Sequence, residues 1–335
     1  MAIIGGYLFL GHPVQFVIEQ PGPAFNVLGK TGGKPVISIS GAKTYPVSGS
    51  LDALTVELLG TPEAPPSWLE VELAKLDPSK GVIAMNVVYP EGVKSSVIEA
   101  SDAAQMRASQ QDAQAAAYNY LGIKFKSRVY VESMMSDSAA IKLIKPGDFI
   151  TSLNGEPMSN GDVLRQRVKA WDGKTAFKVG IERNGAQSVV TVKPKKIDGK
   201  YYIGVYIGYR YVFPIKTEVY LGDVSGPSAG TMFALGIIDK LTPGQLFAGK
   251  HVAGTGTIEP NGQVGPIGGI VQKMFGAKRA GATVFLAPGD NCSETIGKAP
   301  AGLAVYRIDT LSEAVALIEA IDAGKSLSAF KTCTK

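Results

Sequence analysis

The chain is poor in the side chains that most catalytic and metal chemistry draws on. Its 335 residues include two cysteines (Cys292 and Cys333), two histidines (His12 and His251) and two tryptophans. Two cysteines and two histidines so widely separated do not make a zinc site, so neither a metal nor another cofactor is expected. A basic stripe with interleaved aromatics is also missing: the net charge is only +5 and Lys and Arg are scattered. That pattern argues against a nucleic-acid partner. Residues 1–18 contain no Lys, Arg, Asp or Glu. The apolar and glycine run Ala2–Leu10 is nonetheless shorter than the ~20 residues of a membrane-spanning helix. His12, with Gly11, Pro13 and Gln15, interrupts it, and no positively charged segment precedes it as in a signal peptide. Two readings stand: the remnant of a membrane anchor, or a buried first strand.

What is present is an ordinary globular composition, 45% hydrophobic and 19% charged, with 40 glycines and 20 prolines that imply many turns and short strands. The length predicts two or three domains of roughly 150 residues each. Residues 19–123 read as a strand-rich N-terminal segment followed by a helix. Its strands include 35–39 and 81–88. From Ser95 to about Tyr120, Ala, Gln, Met and Glu replace Gly and Pro, a helix-forming composition suited to a bridge between modules. Residues 124–195 form a self-contained unit with strands at 127–132, 149–153, 176–182 and 188–192 and a helix at 161–171. Asn184-Gly185 provides a tight hairpin turn between the last two strands. Residues 201–335 alternate strands (202–207, 217–221, 252–258, 283–287, 304–308) with helices (228–239, 267–280, 311–323). The fold class expected is α+β.

The two cysteines allow a disulfide that would pin the C-terminal tail and would need an oxidising compartment. Two free thiols are the other reading.

The strongest local signal is Gly226-Pro227-Ser228-Ala229-Gly230, between a predicted strand and a predicted helix. Proline suits a helix's first turn, the glycines let substrate approach closely, and Ser228 at a helix start has amides nearby for an oxyanion. Gly226, Pro227 and Ala229 are therefore candidate substrate contacts. As a bare pattern this is also G-x-S-x-G, which in α/β-hydrolases requires a later histidine. His251 follows by only 23 residues and none comes after it, so an esterase lacks its base. A serine can instead use a lysine kept neutral by burial. Lys273 shares a helical stripe with Ile270, Met274 and Ala277. Lys278 also neighbours Met274 and Phe275, and periodicity does not choose between them. Gly244–Lys250 mimics a phosphate-binding loop, but His251 stands where Ser or Thr must hold Mg²⁺.

Two resemblances add to this. The phrase LIKPGDFITSLNGEPM and the element order around it resemble a PDZ domain, which implies binding of an extended peptide at a sheet edge. The peptide carboxylate would be received near Leu121-Gly122-Ile123-Lys124, with Gly122 allowing close backbone approach. The blocks SGPSAGTMFALGIIDKLTPG and AGTGTIEPNGQVGPIGGIVQKMFGAKRAGATVFLAP resemble the proteolytic domain of Lon. That likeness implies Ser228 as nucleophile, Lys273 rather than Lys278 as general base, and Thr255 as the residue that orients the lysine. Where ATP-dependent Lon has an acid three residues before the serine, this chain has Ser225. The nearest acid is Asp223. No ATPase module precedes the protease blocks.

A PDZ module ahead of a Lon-type domain resembles bacterial secreted or membrane-tethered PDZ–Lon proteases. VIEQPGPAFNVLG and AAQMRASQQDAQAAA fit the same group. The resemblance implies an extracytoplasmic serine endopeptidase that works without ATP on peptides or unfolded proteins, with the PDZ part presenting or gating substrate. A non-catalytic PDZ scaffold with a degenerate protease domain is the alternative.

Overall fold

A computed structural model describes residues 11–333 other than 159, 198 and 223. The expectations for residues 1–10 and for Asp223 lie outside the described residues. The chain forms two compact units, one of residues 1–123 and 215–335 and the other of residues 124–214.

The first unit starts with β1 (Phe16–Asn26), whose Val17 and Ile18 are buried. β1 pairs antiparallel with β2 (Ser50–Leu59) and with β3 (Gly81–Ala84). Between them, α1 (Trp68–Leu76) is opened by Ser67 and Glu70 in a capping box, a motif that satisfies two otherwise orphaned amides. The long helix α2 (Ser95–Tyr120) follows. It ends in a Schellman turn. Gly122 takes φ +70°, its amide donates to Asn119, and the Ile123 amide donates to Tyr118. Gly122 is glycine because a helix end needs that left-handed residue.

The second unit contains β4 (Lys126–Met134), β5 (Phe149–Leu153), α3 (Gly161–Lys169), β6 (Phe177–Arg183), β7 (Ala186–Val192) and β8 (Val205–Val212). Its sheet runs β7-β6-β5-β4-β8, with every pair antiparallel. The core is built from Val129, Val131, Ile150, Val179 and Ile181 of the strands together with Leu164 and Val168 of α3. The turn Lys145-Pro146-Gly147-Asp148 is locked by a buried carboxylate: Asp148 accepts from the Lys145 amide at 2.8 Å and from Arg183 at 2.7 and 2.6 Å. Burial opposes ionisation of Asp148, yet the Arg183 and Lys145 bonds outweigh it and hold the carboxyl below its ordinary value. Asn154 and Asn184, each with positive φ and each followed by glycine, make the two tight turns that their sequence favours. The unit extends past 195 to Pro214, because β8 pairs with β4 along its length.

The remaining elements return to the first unit: α4 (Gly230–Leu241), β9 (His251–Gly254), α5 (Ile270–Ala280), β10 (Val284–Pro288), β11 (Ala304–Ile308) and α6 (Leu311–Asp322). The sheet runs β11-β10-β9-β2-β1-β3, and β9 lies parallel to both β2 and β10. The N-terminal strands are therefore half of the same sheet as the C-terminal ones, where the sequence suggested a separate segment. α2, expected as a bridge, packs on α4 within this unit. Residues 230–239 are all buried, as in a helix that is apolar on every side. Burying each large aliphatic or aromatic side chain there contributes roughly 1.5–3 kcal/mol. Ala253 packs in the core with Ile270 and Met274 of α5, whereas a side chain on Gly254 would meet Met232 of α4. Because successive strand residues face opposite ways, α4 and α5 cover opposite faces of the sheet.

Cys292 and Cys333 form a disulfide with 4.9 Å between Cα atoms. The tail it ties down runs beside β11: Arg307 N–H donates to Lys331 and Cys333 N–H to Val305.

Candidate active site

The helix after the serine starts two residues later than its sequence suggested. α4 opens at Gly230, and Ser228 sits in the turn before it. The turn is fastened from two sides. Gly226 N–H donates to Asp102 of α2 at 3.2 Å, and Ser109 Oγ of the same helix donates to the Pro227 carbonyl at 2.9 Å. On the other side the Ser228 carbonyl accepts from Gly256 N–H at 2.8 Å and from Thr255 Oγ1 at 3.0 Å. Past the serine, Gly230 N–H points to Pro227 at 3.4 Å and Thr231 N–H donates to Gly256 at 3.1 Å.

The predicted strand 252–258 is broken at Thr255-Gly256, between β9 and the short strand Thr257–Ile258. The break frees Thr255 to turn to the lysine. Lys273, in the first turn of α5, donates from Nζ to Ser228 Oγ at 2.7 Å and to Thr255 Oγ1 at 3.1 Å. Lys273 is 2% exposed and Thr255 0%. Burial lowers the lysine pKa from 10.5 to about 8, with Glu19 pulling the other way. Lys278, which periodicity left as a rival, is exposed and donates to the Gly302 carbonyl.

Beside the pair lies a cleft of about 290 Å³ lined by Phe25, Leu54, Met106, Gly226, Ser228 and Ala229, among others. Gly226 and Ala229 thus face it. Pro227 acts through its carbonyl, as the tie to Ser109. The histidine is elsewhere. His251 opens β9, four residues before Thr255, or roughly 13 Å along an extended strand. Its Nε2 is 2.6 Å from Asp52 Oδ2, so the esterase reading has no base beside Ser228. The phosphate-loop mimic fails as well: Lys250 leads into strand β9 rather than a helix, and the turn is held by Asp239, which accepts from Leu246 N–H at 2.7 Å.

Gly122 lies at the end of α2, in the first unit. The unit of residues 124–214 carries a groove of about 570 Å³ lined, among others, by Leu164 and Val168 of α3, by Ile203 and Gly204 just before β8 and by Val205 and Ile207 of β8. β8 is an edge strand of its sheet. The sequence signal for it is the apolar-Gly-apolar stretch Ile203-Gly204-Val205 leading into a strand, in a segment whose pattern of strands and helices reads with residues 201–335. Ser109 and Glu19 lie inside the blocks AAQMRASQQDAQAAA and VIEQPGPAFNVLG, but nothing in those blocks singled them out as site residues.

A family model of the Lon protease (S16) C-terminal proteolytic domain matches residues 222–317, and a PDZ domain model matches residues 108–176. The chain carries a Lon-type proteolytic domain and a PDZ domain. Lon protease 1 of Bacillus subtilis is 34% identical over 138 residues, which is 39% of this chain and 17% of that protein. The Lon protease of Vibrio parahaemolyticus is 42% identical over 138 residues, with the same coverage of 39% and 17%. The chain spans less than a quarter of the curated relatives it matches, from 8% to 22%. Among solved structures, the PDZ domain of an SdrC-like protein of Listeria monocytogenes aligns at 22% identity and TM-score 0.23. That alignment covers 24% of this chain and 85% of that one. The Lon-type match contains Ser228, Thr255 and Lys273.

Proposed function

We propose that the chain is an ATP-independent serine endopeptidase whose nucleophile is Ser228 and whose general base is Lys273. The observation that carries this is the 2.7 Å contact between Lys273 Nζ and Ser228 Oγ, made by a lysine excluded from solvent. The neutral amine takes the serine proton as Oγ attacks a peptide carbonyl, and the resulting ammonium returns it to the leaving amine. Water then hydrolyses the acyl-enzyme, activated by the same amine. The amides of Ser228 and Ala229, ahead of those committed to Pro227 and Gly256, hold the oxyanion. The cleft beside Ser228 receives the acyl part of the substrate.

The PDZ groove presents or gates substrate in this reading. An extended peptide adds to the free edge of β8, with the Gly204 turn at its carboxylate. An extracytoplasmic setting, secreted or membrane-tethered, is supported by the Cys292–Cys333 disulfide, a bond characteristic of oxidising compartments. Among the described residues no helix is long and apolar enough to cross a membrane.

The test is cleavage of an unfolded protein without nucleotide by the unaltered chain, Ser228→Ala and Lys273→Ala. Cleavage by the unaltered chain alone supports the dyad. Equal cleavage by all three removes it, and no cleavage of any of a broad peptide set favours the scaffold.

A further inference from the structure

The acid missing before Ser228 has a counterpart on β1. Glu19 is only 9% exposed, and its strand position pairs it with Gly81 of β3 on one side and Leu58 of β2 on the other. Its carboxylate is held at the start of α5. With its amide oriented to satisfy both neighbours, Gln272 donates to Glu19 Oε2 at 3.2 Å and accepts from Gly81 N–H at 3.1 Å. Gly269, the residue before α5, leaves the space Glu19 uses: a side chain there would stand 2.5 Å from Oε1. Gln272 and Gly269 both flank the turn that carries Lys273. A buried carboxylate with one side-chain donor is costly unless a cation compensates it: burial raises the Glu19 pKa while Lys273 pulls it back down, and Glu19 in turn favours the charged form of Lys273. Among the described residues, the acidic groups that act here are Glu19 from β1 and Glu294 from the short helix Cys292–Thr295, which opposes ionisation of Glu19. Ser228 and Thr255 add only hydroxyls.

We propose that Glu19 is a positioning residue of the dyad, a buried carboxylate that braces the first turn of α5, from which Lys273 reaches Ser228. The inference rests on reading Ser228 and Lys273 as the catalytic pair. Glu19 touches no reacting atom; it acts through the lysine.

The experiment is a titration of ¹³C-labelled lysine in the full chain by NMR, with the Lys273 signal assigned by its loss in Lys273→Met. Glu19→Gln is expected to lower the Lys273 midpoint by about one pH unit, and Glu19→Asp by less. The acidic limb of kcat/KM moves the same way by the same amount. An unchanged midpoint in folded Glu19→Gln overturns the proposal. If Glu19→Gln does not fold, Glu19→Asp decides on the same criterion. Because the titration needs no turnover, an inactive chain would sink the protease reading and leave the Glu19 result standing.

Discussion

Thr255 Oγ1 accepts a hydrogen bond from Lys273 Nζ at 3.1 Å while donating its own proton to the Ser228 carbonyl at 3.0 Å. One hydroxyl therefore fixes the lysine relative to the main chain of its serine. Thr255→Val keeps the shape and removes that link. Its expected effect is a 10- to 100-fold loss in kcat, about 1.4–2.7 kcal/mol, with KM nearly unchanged. Thr255→Ser should restore most of the rate. Steady-state kinetics on a fluorogenic peptide checks both.

A base of pKa about 8 imposes a pH profile. Below that value most Lys273 is protonated and cannot accept the serine proton, so kcat/KM should fall about tenfold per pH unit. Above it the rate levels off. A plateau reaching down to pH 6 would be the contrary outcome.

The same burial costs stability. Lys273 titrates at about 8 when folded against 10.5 unperturbed, so between those values the unfolded chain binds more protons and stability rises with pH. Below about pH 8 the full penalty applies, about 3 kcal/mol at 1.36 kcal/mol per unit. Lys273→Met should thus raise the urea midpoint at pH 7 and lose that advantage as pH approaches 10.5. Paired denaturation curves at the two pH values measure it.

The disulfide closes a sequence separation of 41, worth ~4 kcal/mol in the chain-entropy account. Replacing Cys292 and Cys333 by serine should lower Tm by roughly 10 °C, as should reduction of the unaltered chain. Since the bridge lies outside the cleft beside Ser228, kcat at 25 °C should change little. Calorimetry with and without reductant tests it.

Ser228, Lys273 and Thr255 were legible because each sits in a block whose order and spacing resemble a known domain. Lys273 was separable from Lys278 only through that likeness; the structure adds the physical reason, since one amine is buried and the other exposed. Helix starts were misplaced by two or three residues at Ser228 and Ile267, where turn geometry rather than propensity sets the boundary. Gly122 was not readable as a helix end: a glycine ending a helix and a glycine beside a ligand look alike in sequence, and its backbone bonding to Asn119, with that of Ile123 to Tyr118, shows the helix end. Glu19 and Ser109 fall inside blocks that resemble the PDZ–Lon group, yet their roles could not be read from them. They reach the site through strand pairing and helix packing over more than a hundred residues, and no local pattern encodes such contacts.

The insertion of residues 124–214 between two parts of one sheet affects how the molecule is made. β2 leaves the ribosome with one edge unpaired, and β9, which must lie against it, is synthesised only after the whole unit of residues 124–214. At about 5–20 residues per second, ~13–50 s separate the emergence of Glu19 from that of Lys273. The PDZ unit completes its own sheet in that interval, while the proteolytic unit cannot assemble its reactive pair. On the proposed reading, Ser228 and Lys273 can meet only after residues 124–214 have been made.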